Sequence, residues 1–105
     1  MAVVEINDTN FNEQVLSSKM PVLLDFFAVW CGPCKLAEPV LSELSEQHRD
    51  KIIVAKIDVD KNPSTPQKFG VMSIPTTILF KNGQEAGRQV GFAGKKPFED
   101  LIAKA

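Results

Sequence analysis

The chain has 105 residues, of which 44% are hydrophobic and 24% are charged, the balance of an ordinary globular protein that can bury its own core. Twelve basic residues against thirteen acidic ones give a net charge of −1, which argues against a nucleic-acid partner and against a charged tail. No apolar stretch is long enough to cross a membrane, and the opening MAVVEINDTN does not resemble a signal peptide. We therefore expect one domain, residues 1–105, in the cytoplasm and without a membrane partner.

The first twenty residues predict a strand followed by a helix. Residues 3–6 have the apolar, β-branched character of a short strand. Asp8 or Thr9 can cap the helix, because a side-chain oxygen there can accept hydrogen bonds from free backbone N–H groups. The helix carries three apolar residues on one face: Phe11, Val15 and Leu16.

A buried strand and a long helix follow. Residues 22–27 are apolar on both faces apart from Asp25, which is typical of a central parallel strand covered by helices on each side. Pro39 is expected to kink the next helix, because proline cannot donate the internal hydrogen bond. Four residues are expected on the inward face of that helix: Leu36, Val40, Leu41 and Leu44.

The second half of the chain predicts a strand, a short helix and a hairpin. Residues 51–60 are β-branched and mostly apolar, Asn62 can cap a helix after them, and Gly70 can end that helix. Asn-Gly at positions 82–83 is a strong hairpin signal, so the strands at 74–80 and 85–90 should pair antiparallel.

Pro97 suits the start of a final helix, which carries Phe98, Leu101 and Ile102 inward. The order of elements is then βαβαβαββα, which predicts an α/β fold with a mixed sheet and helices on both faces. Residues 30–34 lie at the carboxyl end of a central strand, where ligands and reactions gather in open α/β sheets.

The two cysteines, Cys31 and Cys34, are separated only by Gly-Pro. A closed zinc site needs four ligands, and the chain adds a single histidine, His48, so more than one chain would have to share the metal. A structural disulfide across so small a loop would remove little entropy from the unfolded chain. A redox pair explains the spacing better and fits a cytoplasmic chain.

The redox interpretation gives each cysteine a role. Cys31 falls at the start of the long helix, where free N–H groups and the helix dipole favour a thiolate. Cys34, one turn later, is expected to be buried and protonated. We therefore expect Cys31 to be the nucleophile and Cys34 the resolving thiol. Pro33 suits the first helical turn, and Gly32 allows a partner chain to approach closely.

Asp25 places a charge in the strand that leads to the cysteines. An ionised carboxylate is costly to bury, so it should be paired or have a raised pKa through desolvation. The functional hypothesis is that Asp25 accepts the proton of Cys34, through a water molecule. The alternative is a structural carboxylate bonded to backbone or to a lysine. Lys56 is the expected ionic partner, although a surface lysine at a strand edge is equally consistent with the sequence.

Several motifs occur together along the chain. WCGPCK follows Asp25, Pro39 stands five residues after Cys34, and AKIDVD, SIPT, FKNG and VGFAG come later. This set, in this order and spacing, resembles the thioredoxin family over essentially the whole chain. The resemblance implies a thioredoxin fold of five strands in a mixed sheet flanked by four helices, with a cis peptide bond between Ile74 and Pro75.

The resemblance also implies an activity and its partners. The expected enzyme is a protein-disulfide reductase, a thiol–disulfide oxidoreductase that needs no bound cofactor or metal because its electrons reside in the cysteine pair. Its partners would be disulfide-containing target proteins and a thioredoxin reductase, and we expect a monomer. The backbone next to Pro75 would pair with the target as an added strand. The implied target-docking surface is Trp30, Gly32, Pro33, Ile74, Pro75, Gly91 and Phe92.

Two positions depart from the family pattern. Phe27 stands where many members carry a second tryptophan, so packing should be kept while an indole N–H is lost. Val29 stands where a charged or polar residue is common, which makes the rim of the docking surface more apolar. Neither residue is a thiol, so the expected activity is unchanged.

Two other functions remain open from sequence. An oxidase or isomerase on the same fold is disfavoured by Pro33, since oxidising members of the family carry histidine before the second cysteine. A binding module that lends a partner stability or processivity through its apolar surface, without redox chemistry, is the second alternative.

Overall fold

Five strands form one mixed sheet at the centre of the protein, in a computed structural model that describes residues 3–105. The strands are Val4–Ile6 (β1), Val22–Phe27 (β2), Ile53–Asp58 (β3), Thr76–Lys81 (β4) and Gln84–Val90 (β5). Their order across the sheet is β1-β3-β2-β4-β5, with β1, β3 and β2 parallel and β4 antiparallel to both β2 and β5.

A π-helical segment and three α-helices cover the sheet. The π-helical segment is Asn12–Leu16, and the α-helices are Gly32–Gln47 (α1), Ser64–Lys68 (α2) and Lys96–Ile102 (α3). The order of elements and the α/β fold class are those predicted from sequence. Within residues 3–105, no helix combines the length and the apolar character that crossing a membrane requires.

Strand β2 lies in the middle of the sheet and is buried on both faces. Because side chains alternate along a strand, Leu24 and Phe26 face the core formed with the π-helical segment, whereas Leu23 and Asp25 face the side covered by α1. This alternation places the single carboxylate of β2 beneath the helix that carries the cysteines.

The inward face of α1 differs from the expected one. Its buried stripe is Cys34, Ala37, Leu41 and Leu44, which recur at intervals of three or four residues. Leu36 falls outside this stripe and is 64% exposed, so the prediction that it faces inward was wrong, whereas Val40 packs half-buried against the core. The helix continues through Pro39, and a bend there stays a prediction.

Asp8 caps a helix that is distant in the sequence. Its carboxylate accepts hydrogen bonds from the backbone N–H groups of Ser64 at 3.1 Å and Thr65 at 2.9 Å, at the start of α2. The Thr65 hydroxyl donates to the same carboxylate at 2.7 Å. The π-helical segment begins after Phe11 without a side-chain cap, so the prediction that Asp8 or Thr9 caps it was wrong.

Asn62 does not cap α2 either, and that prediction was also wrong. Its side-chain oxygen accepts from the backbone N–H of Asp8 at 3.0 Å, and its amide donates to the carbonyl of Asp58 at 3.1 Å. Asn62 therefore holds the loop that carries Asp8 against the end of β3, and Asp8 supplies the cap. Gly70, with φ of +66°, follows the end of α2 as expected.

The turn between β4 and β5 has the predicted chemistry. Asn82 and Gly83 have φ of 55° and 78°, and positive φ at both central residues is the requirement of a type I′ hairpin turn. The two strands pair antiparallel on either side of it. The Ile74–Pro75 peptide bond, which immediately precedes β4, is cis.

Candidate active site

The two cysteines lie where the chain leaves β2 and enters α1. Cys31 is the N-cap residue of α1, and Pro33 lies in the first turn, where its missing N–H costs nothing. The two sulfur atoms form a disulfide bond between residues whose Cα atoms are 5.3 Å apart. The structure therefore shows the oxidised form of the pair.

The N-terminal end of α1 places Cys31 in an electropositive environment. The Cys31 sulfur accepts a hydrogen bond from the backbone N–H of Cys34 at 3.2 Å. The other free N–H groups and the dipole of this 16-residue helix also favour negative charge here. A Cys31 thiolate would thus be stabilised in the reduced form, which is the form that attacks disulfides.

Burial alone does not distinguish the two cysteines. Cys31 is 4% exposed and Cys34 is 5% exposed, whereas Gly32 and Pro33 between them lie at the surface. What differs is the side of α1 that each one faces. Cys34 lines a cavity that opens to the surface, whereas Cys31 caps the helix.

That cavity, of about 420 Å³, lies between α1 and the sheet. Cys34 and Asp25 both line it, together with the charged side chains of Lys35, Glu38 and Lys56. The rest of the lining is mainly apolar, but an open space of this size with several charged groups in its wall can hold water molecules. The cavity therefore offers a route by which water can connect the Cys34 sulfur with the Asp25 carboxylate.

Asp25 is buried beneath the cysteines, with only 4% of its surface exposed. Burial raises the pKa of its carboxyl group from 3.8 to about 7, and the negative charge of Glu38 acts in the same direction. A hydrogen bond from Thr77 and the positive charge of Lys56 oppose this rise. The Thr77 hydroxyl donates to the carboxylate at 3.3 Å. A carboxyl group in this state can both hold and release a proton near neutral pH.

The ion pair of Lys56 differs from the expected one. Lys56 is the register partner of Asp25 on the neighbouring strand, yet its Nζ lies 3.6 Å from a carboxylate oxygen of Glu38 and 5.3 Å from the centre of the Phe27 ring. A lysine can bury its aliphatic stem and still keep its ammonium group hydrated. The Lys56 charge therefore acts on Asp25 from the cavity mouth, and the direct contact expected from sequence is replaced by one with Glu38.

Several residues of the predicted target-docking surface lie around the disulfide. Trp30 is 67% exposed, and its indole N–H donates to the Asp60 carboxylate at 2.7 Å. Ile74 packs against the cluster that contains both cysteines. The carbonyl of Pro75 accepts from the backbone N–H of Gly91 at 2.7 Å, which joins these two loops.

Phe92 and Pro75 are less accessible than a flat docking surface would suggest. Phe92 is half-buried and lies against Phe98 of α3, with the ring centres 5.9 Å apart. Pro75 is buried, so its contribution to docking would come through the backbone beside it.

Comparison with known proteins agrees with the fold and the cysteine pair. The family model described as Thioredoxin matches residues 2–104. A thioredoxin of Rickettsia typhi is 45% identical over 103 residues, which is 98% of both chains. A thioredoxin of Alicyclobacillus acidocaldarius is 47% identical over 97% of this chain and 96% of its own, and one of Mycobacterium tuberculosis is 52% identical over 90% of this chain and 81% of its own.

The chain belongs to the thioredoxin family. It is a thiol–disulfide oxidoreductase with disulfide reductase activity, and it works by dithiol–disulfide exchange at the Cys31–Cys34 pair. As in other thioredoxins, the cysteine pair itself carries the electrons. Within residues 3–105, no three His, Cys, Asp or Glu side chains are grouped so that they could hold a metal ion.

Three residues near this thioredoxin site were not singled out from sequence. Thr77 reaches Asp25 only because β4 pairs with β2 in the register that the sheet imposes. Glu38 stands four residues after Cys34, and this helical spacing was a signal that could have been used. Met72, which is 96% exposed, precedes Ile74 by two residues, and its position beside the predicted docking residues Ile74 and Pro75 was the available sign.

Proposed function

We propose that Cys31 attacks the target disulfide and that Cys34 resolves the resulting intermediate. The observation that carries this assignment is that Cys31 caps α1 while Cys34 faces the cavity shared with Asp25. The Cys31 thiolate attacks one sulfur of the target, so that a mixed disulfide forms and the other target sulfur leaves as a thiolate. Cys34 then attacks the Cys31 sulfur, which releases the second target thiolate and forms the Cys31–Cys34 disulfide. Two electrons pass from the dithiol to the target.

Asp25 is the proton acceptor for Cys34 in this proposal. A thiol must lose its proton before it can attack, and both groups line one cavity that can hold water. Because burial raises the pKa of Asp25 to about 7, its carboxylate is a stronger base than an exposed aspartate. Lys56 contributes its positive charge to the same cavity and stabilises the ionised form of Asp25.

Target docking is assigned to the surface around the disulfide. Trp30, Gly32 and Pro33 are exposed and adjoin the cysteines in sequence, and Ile74 packs against the cysteine pair. The loops of Pro75 and Gly91 extend this surface, with Phe92 at its half-buried edge. The exposed Val29 and Met72 add apolar area, which favours extended segments with apolar side chains next to the disulfide.

The proposal extends to the partners, the oligomeric state and the location of the protein. The targets are disulfide-containing proteins, and the oxidised pair must be reduced again by a separate enzyme, a thioredoxin reductase. We propose that residues 1–105 act as one monomeric domain in the cytoplasm, where reducing conditions maintain the dithiol.

A matched pair of variants tests the roles of the cysteines. Cys34→Ser keeps the attacking thiol but removes the resolving one, so it should accumulate a mixed disulfide with a protein substrate, visible by mass spectrometry and reversed by excess dithiothreitol. Cys31→Ser should accumulate none under the same conditions. Equal trapping by both variants, or trapping by Cys31→Ser alone, would contradict the assignment.

A second function is favoured by the exposed apolar side chains of Val29, Trp30 and Met72, which could hold a partner protein without electron transfer. The double variant Cys31→Ser, Cys34→Ser separates the two functions. Reductase turnover requires the thiols and should vanish, whereas a redox-independent binding role should survive.

A further inference from the structure

Glu38 lines the cavity that Cys34 and Asp25 share, and the proposed reductase chemistry gives it no role. It follows Cys34 by four residues, so both side chains lie on one side of α1. Its carboxylate is 3.6 Å from Lys56 Nζ, and Glu38 and Lys56 line the same cavity as Asp25 and Cys34. A carboxylate, an ammonium group, a second carboxylate and a thiol thus share one space.

We propose that Glu38 is a positioning residue that holds the Lys56 ammonium group at the cavity mouth and thereby keeps Asp25 able to exchange a proton near neutral pH. The proposal extends the proton-acceptor role of Asp25 given above and rests on it. It assigns to Glu38 no contact with the substrate or with the reacting sulfur atoms.

The sheet register explains why Lys56 needs a partner other than Asp25. Lys56 and Asp25 are partners on adjacent parallel strands, so their side chains leave the same face of the sheet at neighbouring positions. A lysine in that place would be drawn to the buried carboxylate. Direct pairing would stabilise the ionised form of Asp25 and make it a weaker base.

Glu38 provides a less costly partner for the ammonium group. The Glu38 side chain is 65% exposed and that of Lys56 is 29% exposed, so their ion pair forms without full loss of water from either charge. The Phe27 ring, 5.3 Å from Lys56 Nζ, favours the same position of the ammonium group. Two contacts therefore hold Lys56 in the arrangement that leaves Asp25 without a direct ion pair.

The charges that face Asp25 have opposing effects. Among the described residues that line the cavity, these are Lys56 from β3 and Lys35 and Glu38 from α1, while β4 contributes the neutral hydroxyl of Thr77. The negative charge of Glu38 raises the pKa of Asp25, and the positive charge of Lys56 lowers it. Removal of Glu38 deletes the first effect and frees Lys56 to strengthen the second, so both changes act in the same direction.

Three single variants of the full chain test the proposal: Glu38→Gln, Lys56→Gln and the control Glu43→Gln. Glu43 is also on α1 and pairs with Lys95 at 3.1 Å, but it does not line the cavity. The readout is the titration of the Asp25 carboxyl carbon by NMR, together with the pH dependence of the rate of protein-disulfide reduction.

We expect the Asp25 midpoint of Glu38→Gln to move down by roughly 0.2–0.7 pH units, the range set by a single partly exposed ion pair. Lys56→Gln should move the midpoint up, and Glu43→Gln should leave it unchanged. A role of Glu38 in stability alone would not produce opposite shifts in the two variants.

An unchanged or raised midpoint in Glu38→Gln, with the folded spectrum retained, would overturn the proposal, and so would an equal shift in Glu43→Gln. If the midpoints move as expected but the pH dependence of the rate does not follow them, the role of Glu38 is supported. In that case the proton-acceptor role of Asp25 is the part that fails.

Discussion

The Asp25 carboxyl group is 4% exposed, and burial raises its pKa from 3.8 to about 7. In the unfolded chain the same group ionises near 3.8, so between about pH 4 and pH 7 the folded protein binds more protons than the unfolded one. The contribution of Asp25 to stability is therefore fully present below pH 4 and decreases as the pH rises toward 7. Above that value the folded protein carries the cost of a buried negative charge.

Asp25→Asn should consequently stabilise the protein at high pH. The substitution removes the charge but keeps the shape, so we expect the free energy of unfolding at pH 8 to rise by about 2–4 kcal/mol, with little change at pH 4. Denaturant titration of the oxidised protein, followed by the fluorescence of its single tryptophan, measures this. An equal change at both pH values would show that the effect is one of packing rather than charge.

At the scale of elements, α2 depends on a residue outside itself. It has only five residues, too few for a helix to be stable by itself, and its first N–H groups donate to Asp8, 57 positions before Thr65. Desolvation alone would raise the pKa of Asp8, but its hydrogen bonds with Thr65 and Ser64 together outweigh that effect and lower the pKa. This contribution is present above the unfolded pKa near 3.8 and decreases as the pH falls through the lower folded value.

We expect Asp8→Ala to lower the free energy of unfolding by about 1 kcal/mol at pH 7, the usual loss when a helix cap is removed. Thr9→Ala is the matched control, because Thr9 is exposed and next in sequence, and its effect should stay within about 0.5 kcal/mol. Urea titration of the unsubstituted protein and of both variants measures these changes in the free energy of unfolding. Equal losses in both variants would mean that Asp8 does not act as a cap.

The β4–β5 turn gives a second prediction at this scale. A Cβ atom at Gly83 would meet the carbonyl oxygen of Leu16 at 3.1 Å, in addition to the strain of φ +78°. Gly83→Ala should therefore destabilise the protein by about 1–3 kcal/mol. Gly70→Ala is the control, since its φ of +66° is similar but its Cβ would lie in open space. A loss as large at Gly70 as at Gly83 would assign the whole effect to backbone strain.

At the scale of the whole molecule, the fold brings the disulfide together with Ile74 and with Asp25, the residue proposed as the proton acceptor of Cys34. Strand β2 delivers Asp25 and leads into the cysteines, and the loop before β4 places Ile74 against them. The redox chemistry of the cysteine pair therefore depends on the folded domain as a whole. The reduction potential of the pair measures the combined effect of these surroundings.

We expect this potential to be close to the value of about −270 mV already known for thioredoxins. Trp30 adjoins Cys31, and the chain has no tyrosine, so tryptophan fluorescence in graded thiol–disulfide buffers measures it directly. A value between about −120 and −180 mV, the range of dedicated oxidants and isomerases, would contradict a reductase role. It would direct attention to Phe27 and Val29 as the cause.

The features that were predictable from sequence depend on neighbours along the chain. Asn82 and Gly83 determine their turn because the required φ values are a property of those two residues. Cys31 caps α1 because Gly-Pro-Cys after a buried strand favours a helix start. The burial of Asp25 followed from the apolar residues on either side of it, and the family resemblance placed the cis bond before β4.

Other features were decided only when distant segments came together. Asp8 caps α2 and not the segment beside it because the chain fold brings its carboxylate to Ser64 and Thr65. Lys56 pairs with Glu38 and not with its strand partner Asp25 because α1 lies across that face of the sheet and offers a hydrated carboxylate. Local conformation depends on short-range steric contacts and hydrogen bonds, and adjacent residues determine these. The choice among charged partners depends on distance and burial, and these exist only in the folded protein.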